Sequence, residues 1–130
     1  MVKVNNSPSG KELPCELYLD GYLKSNLDDA YKLVNKDWDY IVPIVGYEGD
    51  GKSVFAQQIG LYLDPELVLD RIVFTAEQFE EAVDKSPKFS VIIWDEADAV
   101  AGNWYDQQMK TMKRKFKTIR DKNLIIFLVT

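Results

Sequence analysis

The sequence predicts an α/β fold built on a mostly parallel sheet. Three observations predict it. Apolar runs of strand length recur at Tyr40–Val45, within Leu67–Phe74, at Ser90–Trp94 and at Leu124–Val129. Segments with apolar residues at helical spacing separate these runs. Two of the runs end in polar motifs, where an open parallel sheet binds its ligands, beyond the carboxyl ends of its strands. A length of 130 residues fits one domain with a real core.

The elements follow in order. Residues 1 to about 12 are polar, include Ser7-Pro8-Ser9-Gly10, and read as a loose leader. Leu13 to Leu23 predicts a short strand with a turn near Asp20-Gly21. Ser25-Asn26-Leu27-Asp28 has the form of a helix start, with Leu27, Ala30, Tyr31 and Val34 on one face and an end near Asn35. Residues 1–37 are thus a leader, strand and helix, ahead of a core over 38–130. Strand one is Tyr40–Val45, with Pro43 awkward for a central strand. A helix follows over Lys52–Tyr62, with Phe55, Ile59 and Tyr62 at helical spacing, and strand two lies within Leu67–Phe74.

The clearest helix start comes next. Thr75 and Gln78 form a capping box, and Phe74 and Phe79 occupy the positions of a hydrophobic staple. Phe79, Ala82 and Val83 make the buried face, and Pro87 helps end the helix. Strand three is Ser90–Trp94. The last helix, Trp104 to Ile119, carries Tyr105, Met109, Met112, Phe116 and Ile119 as an apolar stripe. Strand four is Leu124–Val129.

Composition narrows the chemistry. The chain is 46% hydrophobic and 28% charged, a globular profile without broad disorder. Cys15 is the single cysteine and there is no histidine, which rules out an intrachain disulfide and any Ser-His-Asp or Cys-His nucleophile, and argues against zinc. Catalysis must use carboxylates, lysine, hydroxyls, backbone dipoles and a hard cation such as Mg²⁺. No apolar signal-like stretch opens the chain and no run reaches transmembrane length, so a cytoplasmic address is the default.

Gly46-Tyr47-Glu48-Gly49-Asp50-Gly51-Lys52-Ser53 fits G-x-x-x-x-G-K-[ST] and follows strand one, the context this phosphate-binding loop requires. Backbone N–H groups of the loop, with the first turn at Lys52, Ser53 and Val54 behind them, make a concavity of positive partial charge that suits a triphosphate. Lys52 is placed for the β- and γ-phosphates and Ser53 for Mg²⁺. Glu48 and Asp50 occupy positions the pattern leaves free; turned toward phosphate, they would weaken binding.

Val91-Ile92-Ile93-Trp94-Asp95-Glu96 is an apolar strand tipped with two acids. That tip points them into the crevice of the phosphate loop, 43 positions after Lys52. Asp95 suits the Mg²⁺ shell, through water, and Glu96 suits activation of an attacking water.

With these two motifs in place, the chain resembles the P-loop ATPases that carry an additional strand and a catalytic glutamate. The resemblance covers about residues 38 to 130 and implies a three-layer P-loop NTPase sandwich, with Mg²⁺ and ATP as cofactor and substrate. It also implies that the strand after the acid pair, here Asn123 to Thr130, sits between the two motif strands, with Thr130 near the γ-phosphate or attacking water. The order of basic helix, Arg120, turn, apolar strand and Thr130 is similar to the DNA-pumping HerA/FtsK-like branch and its archaeal or viral relatives, which implies work on DNA or RNA. The family continues past the fourth core strand, so the fold is read as truncated there; alternatively, the segment around Cys15 to Leu19 covers the open edge beside strand one.

Two other patterns do not hold. Asp95-Glu96-Ala97-Asp98 spells DEAD, but the DEAD-box helicases need longer spacing and a second motor domain. Asp98 stands where a GTPase D-x-x-G needs glycine, and no N-K-x-D follows. Residues 110–122 carry seven cations against Asp121, a net +6 that leaves −11 for the rest of a chain of net −5. That segment reads either as a solvated helix face or as a contact for nucleic-acid phosphates through Lys110, Lys113, Arg114 and Lys117. Arg120 is a candidate arginine finger toward a neighbour's γ-phosphate in a homo-oligomeric ring. The motifs lead to a Mg²⁺-dependent ATPase; a phosphotransferase or a nucleotide-binding module without turnover would use the same loop.

Overall fold

A computed structural model describes residues 1–36, 40–44, 51–95 and 104–129. Among these described residues, six strands and four α-helices follow in the order β1 Val2–Asn6, β2 Glu12–Leu19, α1 Gly21–Val34, β3 Tyr40–Ile44, α2 Lys52–Leu63, β4 Ile72–Val73, α3 Ala76–Lys85, β5 Val91–Asp95, α4 Trp104–Asp121 and β6 Ile125–Val129. Four strands form a parallel sheet in the order β3-β6-β5-β4. The fold is therefore α/β with a parallel sheet and helices on both faces.

The period of two along each strand divides the core. Val91 and Ile93 of β5, with Ile125, Phe127 and Val129 of β6, face α1, α2 and the β1–β2 hairpin. Ile92, Trp94, Ile126 and Leu128 face α3 and α4. All five residues of β5 and of β6 are buried, as a strand covered on both faces requires. Phe79 of α3 stacks on Trp94, with ring centroids 4.6 Å apart. Gly60 lets α2 lie close on the sheet: a Cβ there would come within 3.2 Å of Val91 and 3.3 Å of Ile93.

The amino-terminal region departs from expectation. Residues 2–6 are a strand, not a loose leader: β1 pairs antiparallel with β2 through a turn in which Ser7 N–H donates to the Lys11 carbonyl. Val4 is the residue of β1 that reaches the core, against Leu13, Leu17 and Leu19 of β2, so five residues give little periodic signal. The hairpin pairs with itself and does not extend the main sheet at β3. Asp20 makes no turn after the strand. Its carboxylate accepts from the N–H groups of Tyr22 and Leu23, and this cap starts α1 four residues before Ser25. Pro43 is accommodated because β3 pairs with β6 alone among the described strands, and an edge tolerates a missing donor.

The capping box at α3 forms with one change. Thr75 Oγ1 accepts from Gln78 N–H at 3.2 Å, while the Gln78 amide oxygen reaches back to Phe74 N–H rather than to Thr75. Phe79 is fully buried and Phe74 is half exposed. The stripe on α4 also shifts. Met112 and Ile119 are buried, but Phe116 is exposed, and Gln108 and Thr111 take buried positions. Tyr105 lies outside the residues whose side chains are described. No helix among the described residues is long and apolar enough to cross a membrane.

Candidate functional site

The site begins where α2 begins. Gly51 adopts a left-handed conformation, φ 75°, which L-residues with a side chain avoid, and turns the chain directly into Lys52 and Ser53. Among the described residues no side chain caps this helix, and its first turn has no acid. The Ser53 hydroxyl, free to cap backbone in principle, turns across the sheet instead: its Oγ donates to Asp95 Oδ2 at 2.5 Å.

Strand parity explains how Asp95 meets it. Asp95 lies two residues beyond Ile93, whose side chain faces α2, so the alternating pleat aims the carboxylate to the same side. Asp95 is 6% exposed, a buried carboxylate at a strand tip. Across the sheet, Asp95 is in register with Val129, and Val129 with Ile44. The ends of β3, β6 and β5 are thus level, and two strand spacings, about 10 Å, separate the first from the last.

Among the sequence-predicted residues, Lys52, Ser53 and Val54 stand in the first turn of α2 with Gly51 just before them, and the structure brings Ser53 to Asp95. Val54 is exposed. Gly46, Tyr47, Glu48, Gly49, Asp50, Glu96 and Thr130 lie outside the described residues. Arg120 does not join this cluster. It is near the end of α4, close to the start of β6, where Ile125 pairs with Val91 at the opposite end of β5 from Asp95. Four strand residues, about 13 Å, separate those ends. There Arg120 lies over the Phe116 ring, 5.4 Å from its centroid. Arg120 and Lys52 therefore stand at opposite ends of the sheet.

Lys110, Lys113, Arg114 and Lys117 are exposed on α4. Arg114 Nη1 is 3.3 Å from Glu80 of α3. Two further cations of the segment serve α3 itself. Lys115 bonds both oxygens of Asp84, and the Lys122 ammonium donates to the carbonyls of Val83, Asp84 and Ser86, closing the carboxyl end of that helix.

Sequence reasoning missed several polar contacts that hold the frame around the site. Asp64, just past α2, accepts from Arg71 at 2.6 Å and from Val91 N–H at 3.1 Å, fixing the start of β5. Tyr62 of α2 donates to Asp28 of α1, and burial followed by that carboxylate pushes the phenol pKa up. These pairings join distant segments, and no local pattern announces them. Two grooves, of about 630 and 530 Å³, flank β4 around Val68 to Ile72, and neither is lined by Ser53 or Asp95.

A hydroxyl and a buried carboxylate side by side are hard oxygen donors. They fit Mg²⁺, which takes few protein ligands and fills its remaining positions with water and phosphate oxygens. In comparisons with protein-family models, curated proteins and solved structures, no match to this chain was found.

Proposed function

We propose that this chain binds Mg²⁺·ATP on the Gly46–Ser53 loop and hydrolyses it. One observation carries the reading: the hydroxyl that follows the loop lysine is hydrogen-bonded to the first acid of the second motif, 42 positions away in sequence. A Gly-rich turn with a surface lysine has no reason to meet that acid. The sheet order supports the same reading, since β6 lies between β3 and β5, the position the resemblance implies for the strand after the acid pair.

The roles follow from chemistry. Lys52 holds the β- and γ-phosphates, and the loop N–H groups share their charge. Ser53 and Asp95 would hold Mg²⁺, which when bound would supply positive charge against the phosphate oxygens. Glu96 takes a proton from the attacking water as its oxygen bonds to the γ-phosphorus; the bond to the β,γ-bridging oxygen breaks, leaving ADP and phosphate. Thr130 orients the γ-phosphate or the water. The work such turnover powers is, by the resemblance, movement of nucleic acid.

Phosphate release and nucleotide affinity, measured on the full chain with Mg²⁺, test this. The parent should bind ATP and release phosphate without an added acceptor. Lys52→Ala should lose binding. Glu96→Gln should keep binding while turnover falls by about 10² to 10⁴. A parent that does not bind ATP, or a Glu96→Gln variant with parental turnover, would overturn the assignment.

A further inference from the structure

The cations of residues 110–122, which the sequence alone runs together, divide into those engaged by α3, Arg114 with Glu80 among them, and an exposed row. Lys115 and Lys122 are spent on α3. Lys110, Lys113 and Lys117 point away from the core, exposed, and make no ion pair among the described residues. With Arg120 they recur at i, i+3, i+7 and i+10, a single ridge about 15 Å long.

Two exposed aromatic side chains flank the ridge. Phe116 lies beside Arg120 near its far end. Phe74, 51% exposed, lines a groove of about 410 Å³ with Thr75, Glu77, Lys110, Thr111 and Arg114 at its near end. Glu77 is on the α3 wall of that groove, so an anion is favoured along the α4 wall. A row of cations with aromatic platforms beside it is the chemistry that holds a single nucleic-acid strand: the ridge follows the phosphates and the rings accept bases.

We propose that the outward face of α4 binds single-stranded nucleic acid. A flat anionic membrane fits less well. A membrane would also meet the acids beside the ridge, Glu77 among them, whereas a strand can follow the ridge alone. The contact does not depend on nucleotide hydrolysis, so it stands or falls separately from the reading above.

Fluorescence anisotropy of the full chain with a labelled oligothymidylate of about 20 nucleotides, without ATP, tests it at about 50 and 200 mM salt. Binding should be tighter at the lower salt. The triple variant Lys110→Ala/Lys113→Ala/Lys117→Ala should weaken it by about tenfold or more and reduce the salt slope by about 2. Phe116→Ala should weaken it by about tenfold at either salt. A charge-matched control, Lys3→Ala/Lys11→Ala/Lys85→Ala, should stay within about twofold of the parent; circular dichroism should show both triples folded. Absence of strand binding at low salt overturns the proposal. So does equal loss in the control, tighter binding to the corresponding duplex, or binding only to phosphatidylserine vesicles.

Discussion

Helices α2 and α3 start at the same end of one sheet but in opposite ways. The start of α3 is closed by its own side chains: Thr75 accepts from Gln78, and Gln78 reaches back to Phe74. Among the described residues no side chain caps α2; it starts on a left-handed glycine, and the Ser53 hydroxyl is committed to Asp95. Both sequences contain the residues for a cap, Thr75 in one and Ser53 in the other. The difference is position. Thr75 precedes its helix and bends back to it, whereas Ser53 lies inside the first turn and faces the strand tip. A start closed by side chains stabilises the fold; one left without them keeps its backbone dipoles available for an anion.

Substitutions at the two starts should separate these roles. Ser53→Ala should have the largest effect on chemistry, lowering Mg²⁺-dependent ATP affinity or turnover by about 10- to 100-fold, read by titrating Mg²⁺ at fixed ATP. Parental Mg²⁺ dependence would remove Ser53 from the metal's ligands. Gly51→Ala should cost about 1–2 kcal/mol of stability in urea unfolding, because the left-handed conformation strains any side chain there. The site has open space around a Cβ, so the cost comes from backbone alone. Thr75→Ala should cost about 1 kcal/mol in the same assay and leave ATP turnover unchanged. A turnover defect in Thr75→Ala would mean that the two helix starts are coupled.

The smallest effect concerns the far end of α2. Burial and Asp28 raise the Tyr62 pKa, so the folded state keeps its phenol proton more tightly than the unfolded chain does. That contribution is complete below the ordinary tyrosine value of 10.0 and is lost as pH rises through the folded value. Unfolding midpoints should therefore fall with pH in the alkaline range, and Tyr62→Phe should flatten that fall while costing about 0.5–1.5 kcal/mol near neutrality. An unchanged alkaline slope in Tyr62→Phe would assign it to other groups.

Much of this architecture was legible in the sequence, for reasons that also explain the gaps. Strand β6 is an unbroken apolar run, and β5 is one up to Asp95, because both of their faces are covered. Helix α3 carries its own start signal in Thr75 and Gln78. By contrast, β1 has one buried residue and owes its form to β2, a partner beyond the reach of local pattern. Phe116 fits an apolar stripe by spacing, yet the packing of α4 against α3 turns it outward and buries Gln108 instead. At the site, residue types and spacing pointed to Ser53 and Asp95. Their direct bond was not foreseen, although the parity of Ile93 and Asp95 contains it.

The position of β6 has a consequence for how the site comes into being. Strands β3 and β5 do not pair with each other; β6, which is made after both, is the strand in register with each of them and joins β3 to β5. A growing chain that has reached the end of α4 already holds both motifs, yet it lacks the strand that sets their separation. If the loop takes nucleotide as proposed, capture should switch on abruptly during synthesis, when β6 enters between its neighbours, rather than strengthening residue by residue.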